Sequence, residues 1–215
     1  MPRIALSEQE RQQRRQHLLA TARTIYRETR TLPTVADIAA RAGVAKGSVY
    51  SSFTTKEEIF VALLADSFAT LLAGLAHDIE AWPVPAEPVV ELPRALVRQV
   101  LQQPDLLPLA AMTHAVLEKN LPEEAMASFK HGLADGLRLL GVQLSGKVGV
   151  DAAIATTCLM RSWALTLGLW QALDCPAALL DVLQQPGLEV FRGDFALELE
   201  AAQREYWLGA LPPQA

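Results

Sequence analysis

The chain has little of what marks secreted, metal-bound or fibrous proteins. Of its 215 residues only 2 are cysteine, Cys158 and Cys175, and they lie in apolar or helix-end contexts without C-x-x-C spacing. That argues against a disulfide framework and a zinc site, and for a reduced, cytoplasmic protein. The 4 histidines, at positions 17, 77, 114 and 131, show no metal-ligand spacing. Gly (12) and Pro (13) are not in excess, which excludes a low-complexity chain. No uncharged apolar run reaches about 18 residues, so no membrane-spanning helix is expected. The polar start, Met1 to Gln13, lacks the basic and then apolar regions of a secretory signal. No Ser/His/Asp set, no H-E-x-x-H and no phosphate loop is found, so no catalysis, cofactor or metal is expected.

What the chain does have is apolar residues at helical spacing. Hydrophobic residues make up 51% of it, enough to fill the core of one or two domains. Val and Ile are scattered and period-2 alternation is missing, so nothing reads as strand. The spacing predicts an all-α protein of nine or ten helices. They fall at about 8–28, 34–42, 46–52, 55–81, 89–102 and 123–144, with a short start bracketed by Pro104 and Pro108. Ser145 to Gly149 reads as a loop, and 151–173 is apolar enough to be buried on most sides. A short helix starts at Cys175, Gln185-Pro-Gly is a turn, and 189–211 is a last helix. Three prolines between Trp82 and Pro88 make a loop.

Charge is divided unevenly. Residues 1–58 hold 10 Lys/Arg and 6 Asp/Glu, a net +4, whereas 59–215 hold 9 and 18, a net −9; together these give the −5 of the whole chain. A basic head on an acidic body suits a small DNA-binding module joined to a domain with another task. The expected division is 1–54 for the head and 55–215 for the body, with the helix at 55–81 connecting them.

The head carries the sharper signal. Thr34 stands as an N-cap with Asp37 three residues on, and Gly43 follows Ala42 where a helix end needs a left-handed residue. Ile38, Ala39, Val44, Val49 and Phe53 face inward, and a side chain larger than Ala39 would keep the two helices from closing. Two helices joined by a tight Gly-containing turn are a helix-turn-helix. The second helix leaves Lys46, Gly47, Ser48, Tyr50 and Ser51 outside. Small residues admit a helix to the major groove. Lysine reaches a guanine edge or a phosphate, and serine or tyrosine hydroxyls reach either kind of acceptor. Thr55 and Glu58 form a second capping box, so Lys56 lies at a helix N-terminus suited to phosphate.

The segment TVADIAARAGVAKGSVYSSFTTKEEIF resembles the DNA-binding segment of the TetR family of bacterial transcriptional regulators. The matching positions are Thr34, Val35, Ile38, Ala39, Ala42, Gly43, Val44, Gly47, Ser48, Tyr50, Phe53, Thr55, Lys56 and Glu57, and the resemblance covers about residues 14–65. Two positions depart from the pattern. The glycine usual near the end of the first helix is missing from Glu-Thr-Arg-Thr-Leu-Pro, and Ser52 stands where His or another bulky residue is frequent. The candidate DNA contacts are Thr34, Lys46, Gly47, Ser48, Tyr50, Ser51 and Lys56.

The resemblance implies that the remaining helices bind a small-molecule effector and form a two-fold homodimer on a palindromic double-stranded DNA operator. It implies a repressor that the effector releases. An activator, or a helical small-molecule-binding or interaction protein with a vestigial head, are the alternatives. The expected dimer helices are about 151–173 and 189–210, the first rich in small residues such as Ala152, Ala155 and Gly168. Met112, His114, Met126, Phe129, Cys158, Arg161 and Trp163 are candidate effector contacts; Arg161, a cation inside an apolar helix, meets an anionic ligand, pairs with a nearby carboxylate or lies at a helix edge.

Overall fold

A computed structural model of the chain describes residues 7–83, 87–113, 121–176 and 179–211. Among the described residues there are ten α-helices and no strand, as the periodicity predicts. In chain order they are α1 (Glu8–Thr29), α2 (Val35–Ala42), α3 (Lys46–Tyr50), α4 (Lys56–Glu80), α5 (Pro88–Leu101), α6 (Leu106–Met112), α7 (Glu123–Val148), α8 (Ala152–Leu173), α9 (Leu180–Leu183) and α10 (Phe195–Ala210). A 3₁₀ turn at Glu189–Phe191 precedes α10. The helices form two compact units. One comprises Met1–Asp66 and Met112–Lys130, the other Ser67–Ala111 and His131–Ala215.

In the first unit α1 opens with a full capping box between Ser7 and Glu10 and buries Leu18, Ala22, Ile25 and Tyr26. It ends where the helix needs a left-handed residue and the sequence supplies no glycine. Arg30 takes that conformation instead, with φ 54°, and its N–H bonds the Tyr26 carbonyl. Among the described residues it is the one non-glycine residue with positive φ. A side chain there costs about 1 kcal/mol relative to glycine. Thus the departure noted in the sequence changes the residue at the helix end and keeps the left-handed backbone.

The second unit is built on α10, which packs against both α5 and α8. The centre of the α8–α10 seam is polar. Gln203 is fully buried and its side-chain amide donates to the Ser162 carbonyl at 2.8 Å and to Thr166 Oγ1 at 2.9 Å. Ser162 Oγ in turn donates to Gln203 Oε1 at 2.6 Å. Every polar atom of that amide is therefore paired, and a buried polar group so satisfied fixes register as well as stability. Asp78 on α4 accepts from Gln99 and pairs with Arg98, both on α5, at 2.7 and 2.8 Å.

Four expectations are corrected. Ser145 to Gly149 is not a loop: α7 continues to Val148 and stops at Gly149, whose φ is 73°. The Ser145 hydroxyl donates to the Val150 carbonyl at 2.6 Å and holds that end. The last helix begins at Phe195 rather than 189, capped by the Asp194 carboxylate on the Leu197 N–H. Near Cys175 the described helix is only Leu180–Leu183. Finally, α8 is not buried on most sides. It buries the stripe Ala155, Cys158, Leu159, Ser162 and Thr166, while Ile154 (54%) and Met160 (49%) stay exposed. Helices α4 and α8 are long and apolar enough to cross a membrane by length and composition alone. Each is interrupted by charge, at Asp66 and Asp78 in α4 and Arg161 in α8.

Candidate nucleic-acid interface and apolar cavity

The helix-turn-helix is held by backbone chemistry at both ends of α2. Thr34 Oγ1 accepts from the Asp37 N–H at 3.2 Å, and Asp37 Oδ2 accepts from the Thr34 N–H at 2.9 Å and hydroxyl at 2.7 Å. These bonds, the Thr34 hydroxyl first, hold the Asp37 carboxyl below its ordinary pKa. At the other end Gly43 has φ 68° and its N–H reaches the Ala39 and Ala40 carbonyls. Ala39, Ile38, Val49 and Phe53 are buried as expected.

Helix α3 has five residues, and its N-cap, Ala45, offers no side-chain hydrogen bond. A helix this short does not persist on its own. Its support comes from α1. The Arg15 guanidinium lies 4.1 Å from the centre of the Phe53 ring and donates to the Ser52 carbonyl at 3.0 Å. Arg15 also stands 3.8 Å from Glu58. Two more ties hold the unit. Arg41 forms a two-pronged pair with Glu28 at 2.6 and 3.2 Å, and Arg23 pairs with Asp66 at 2.9 Å. The Arg41 pairing lowers the pKa of Glu28.

Packing from behind leaves the outer face of α3 free. Tyr50 is 57% exposed, Lys46 and Gly47 are exposed, and a Cβ added at Gly47 would meet nothing within 4 Å. Ser48 is half-buried, and its carbonyl accepts from the Ser51 hydroxyl at 2.8 Å, which turns Ser51 back on the helix. Thr34 has its polar atoms committed to the cap of α2. Lys56 is the first residue of α4, with its ammonium 3.8 Å from Glu57. The box at the start of α4 is shifted by one residue from its expected form. The Glu58 N–H reaches Thr55 Oγ1 at 3.1 Å, whereas the Glu58 carboxylate accepts from Thr54 rather than Thr55, at 2.7 Å.

The second unit contains a cavity of about 90 Å³ between α4, α5, α7 and α8. Phe68, Leu71 and Leu75 line it from α4, Leu92 and Leu96 from α5, Leu133, Leu137 and Leu140 from α7, and Leu159, Met160, Ser162 and Trp163 from α8. Phe68 and Trp163 meet edge to face, with centroids 4.8 Å apart. Of the effector contacts expected from sequence, Trp163 lines this cavity. Cys158 and Arg161 instead line a shallow depression with Ala153, Ile154 and Thr157. There the Tyr206 hydroxyl donates to the Cys158 carbonyl at 3.1 Å; burial first, and Cys158 next, push its pKa up to about 12. Met112, Met126 and Phe129 belong to the first unit and are not among the cavity's lining residues. His114 lies outside the described residues. The leucines of the cavity were missed because leucine at helical spacing reads equally as core.

Comparison with known families now decides what the chain is. Residues 31–63 match the family of bacterial regulatory proteins named for tetR, and residues 62–214 match the tetracyclin repressor-like C-terminal domain. The chain belongs to the TetR family. Solved structures agree on the fold. The fatty acid degradation regulator FadR from Bacillus halodurans is 19% identical, covers 92% of this chain and 99% of its own, and has a TM-score of 0.57. FadR from Bacillus subtilis, solved in complex with stearoyl-CoA, is 18% identical over 92% of this chain and 99% of its own, with a TM-score of 0.54. A TetR-family regulator from Mesorhizobium loti MAFF303099 is 15% identical over 93% of this chain and 96% of its own, with a TM-score of 0.53. Comparison with curated protein sequences gave no match. This TetR-family chain is thus a bacterial transcriptional regulator whose N-terminal segment is the family's DNA-binding region.

Proposed function

We propose that the protein is a cytoplasmic, ligand-responsive repressor that binds a palindromic operator as a homodimer and leaves it when a small-molecule effector occupies the second unit. The observation that carries the reading is the outer face of α3: an exposed lysine, a glycine with open space around it and an exposed tyrosine, all backed by a buried apolar anchor. In this reading Lys46, Gly47, Ser48 and Tyr50 enter the major groove. Thr34, Ser51 and Lys56 flank it at the phosphate backbone, Lys56 through its ammonium and the α4 N-terminus, whereas the Thr34 and Ser51 hydroxyls must exchange their bonds to Asp37 and the Ser48 carbonyl to donate there. The division at 54/55 separates the reading head from the effector and dimer domain.

One head of this size touches few base pairs, so two are needed, set about 34–36 Å apart by two-fold symmetry. The outer sides of α8 and α10 suit the dimer contact, since Ile154, Leu197 and Leu208 are large, apolar and exposed there. Helix α4 links effector to DNA in the proposed switch. It places Ile59, Phe60 and Leu63 in the core of the first unit and Phe68, Leu71 and Leu75 in the wall of the cavity. A ligand favouring one setting of that helix shifts the population of DNA-competent dimers.

Selection of binding sites from random DNA by the purified protein is the direct test. The expected product is a palindrome of about 15–25 base pairs. Lys46→Ala should lower affinity, and Tyr50→Phe should weaken all sequences about equally if its hydroxyl meets a phosphate. An unpaired, non-symmetric site would refute the dimer. No binding to any sequence at low salt would leave a helical small-molecule-binding protein with a vestigial head.

A further inference from the structure

The cavity's lining carries chemical information beyond its presence. Among the described residues no charged side chain lines it, and the Ser162 hydroxyl and the Trp163 indole N–H are the polar groups of its lining side chains. Ser162 is also bound into the polar knot behind the wall. Its hydroxyl proton is committed to Gln203 Oε1 at 2.6 Å, and Gln203 is fixed in turn by its bonds to the Ser162 carbonyl and Thr166. A hydroxyl that has given its proton away keeps only its lone pairs. Toward the cavity Ser162 is therefore an acceptor. Moving an ionised carboxylate or phosphate into such a site strands a charge with no cation and at most one neutral donor, the Trp163 indole, at a cost far above that of a neutral group.

Size narrows the choice. An apolar cavity of about 150 Å³ takes a molecule such as benzene. This one, at about 90 Å³, has flexible methionine and leucine walls that adapt. Met160 is half-exposed as well as lining, which places it at the rim.

From these observations we infer that the cavity selects a small, uncharged, largely aliphatic or aromatic molecule bearing one hydrogen-bond donor, a short alcohol being the simplest case, and rejects the corresponding anion. The inference rests on the reading of the cavity as the effector site and adds the ligand's class to it. It differs from the expectation that Arg161 meets an anionic effector: Arg161 is exposed and lines the outer depression instead.

The test uses the full-length protein without DNA and three probes, 1-hexanol, hexane and hexanoate at pH 8, with binding read by calorimetry and by shift of the melting temperature. Hexanol should bind at least about tenfold tighter than hexanoate, the ratio that follows from refusing a buried unpaired charge. Met160→Trp, which blocks the rim at a half-exposed position, should abolish binding with little change in the melting temperature of the free protein. Ser162→Ala should remove the preference for hexanol over hexane. Hexanoate binding as tightly as hexanol, or no probe binding to a folded protein, would overturn the inference. A second arm adds each probe to the protein on its selected operator. Hexanol that binds without releasing DNA would leave the ligand class standing and overturn the regulatory reading. Release by the anion alone would do the reverse.

Discussion

The two units are held together by opposite means. The first is tied by charged and polar clasps at its surface: Arg15 on Phe53 and the Ser52 carbonyl, Arg41 on Glu28, Arg23 on Asp66, and the Thr34–Asp37 cap. The second is a leucine-lined body whose α8–α10 seam closes on a buried polar knot around Gln203, with Asp78 tying α4 to α5. On the function proposed above, the difference follows from their tasks. A reading head must present a polar face at fixed angles, so its residues are chosen for backbone geometry and surface chemistry. A receptor for an apolar molecule must keep polar groups away from the space it offers. All four tryptophans, Trp82, Trp163, Trp170 and Trp207, lie in the second unit, so emission follows that unit while helical circular dichroism follows both.

The strongest way to break the contrast is at the aromatic anchor just beyond α3. Phe53→Ala removes a side chain that is 2% exposed, together with the ring on which Arg15 rests. It should cost about 3–5 kcal/mol, seen in urea denaturation followed by circular dichroism, and should abolish operator binding while the tryptophan transition holds its midpoint. Gly43→Ala comes next. A Cβ there meets no atom, so the whole cost is that of the left-handed backbone, about 1–2 kcal/mol in the same assay. Arg30→Gly acts in the other direction at the other left-handed position of the head. It should stabilise by about 0.5–1 kcal/mol without altering DNA affinity.

The smallest expected effects are those of pH, and they separate the units by sign. The carboxyls of Glu10, Glu28 and Asp37 have folded pKa values below 4.5, 4.5 and 3.8, through hydrogen bonds from Ser7, Arg41 and Thr34 respectively. Their contribution to the head is present above those values and is lost as pH falls below them. Asp37→Asn should flatten that acid limb. Tyr206 in the second unit is shifted upward from 10.0 to about 12, so its contribution is present below pH 10 and is lost as pH rises toward 12. Tyr206→Phe should flatten an alkaline limb visible in tryptophan emission.

The same contrast explains what could be read from sequence. The head was legible because its functions fall on residues with few other uses. Gly43 has a left-handed backbone to explain it, Thr34 and Asp37 form a cap, and Lys46 and Tyr50 stand outside an otherwise apolar period. The cavity was not legible, because Leu71, Leu96 and Leu137 obey the same helical spacing whether they meet each other or a void. Arg161 was open to two readings for a related reason. An arginine within an apolar helix looks internal until the partner helices are known, and α8 turns that side outward. Where a helix stops was partly visible. Gly149 marks the break by its left-handed backbone, but Ser145 and Gly146 before it belong to a helix that continues through them, though their composition reads as loop.

The brevity of α3 has a practical consequence. Its anchors, Val49 within it and Phe53 just beyond, point inward, while positions 46, 47, 48 and 50 point away from the fold or reach its surface. Those four positions are a small alphabet that can be rewritten. A library randomised there would vary the words the protein recognises and leave its grammar of folding intact.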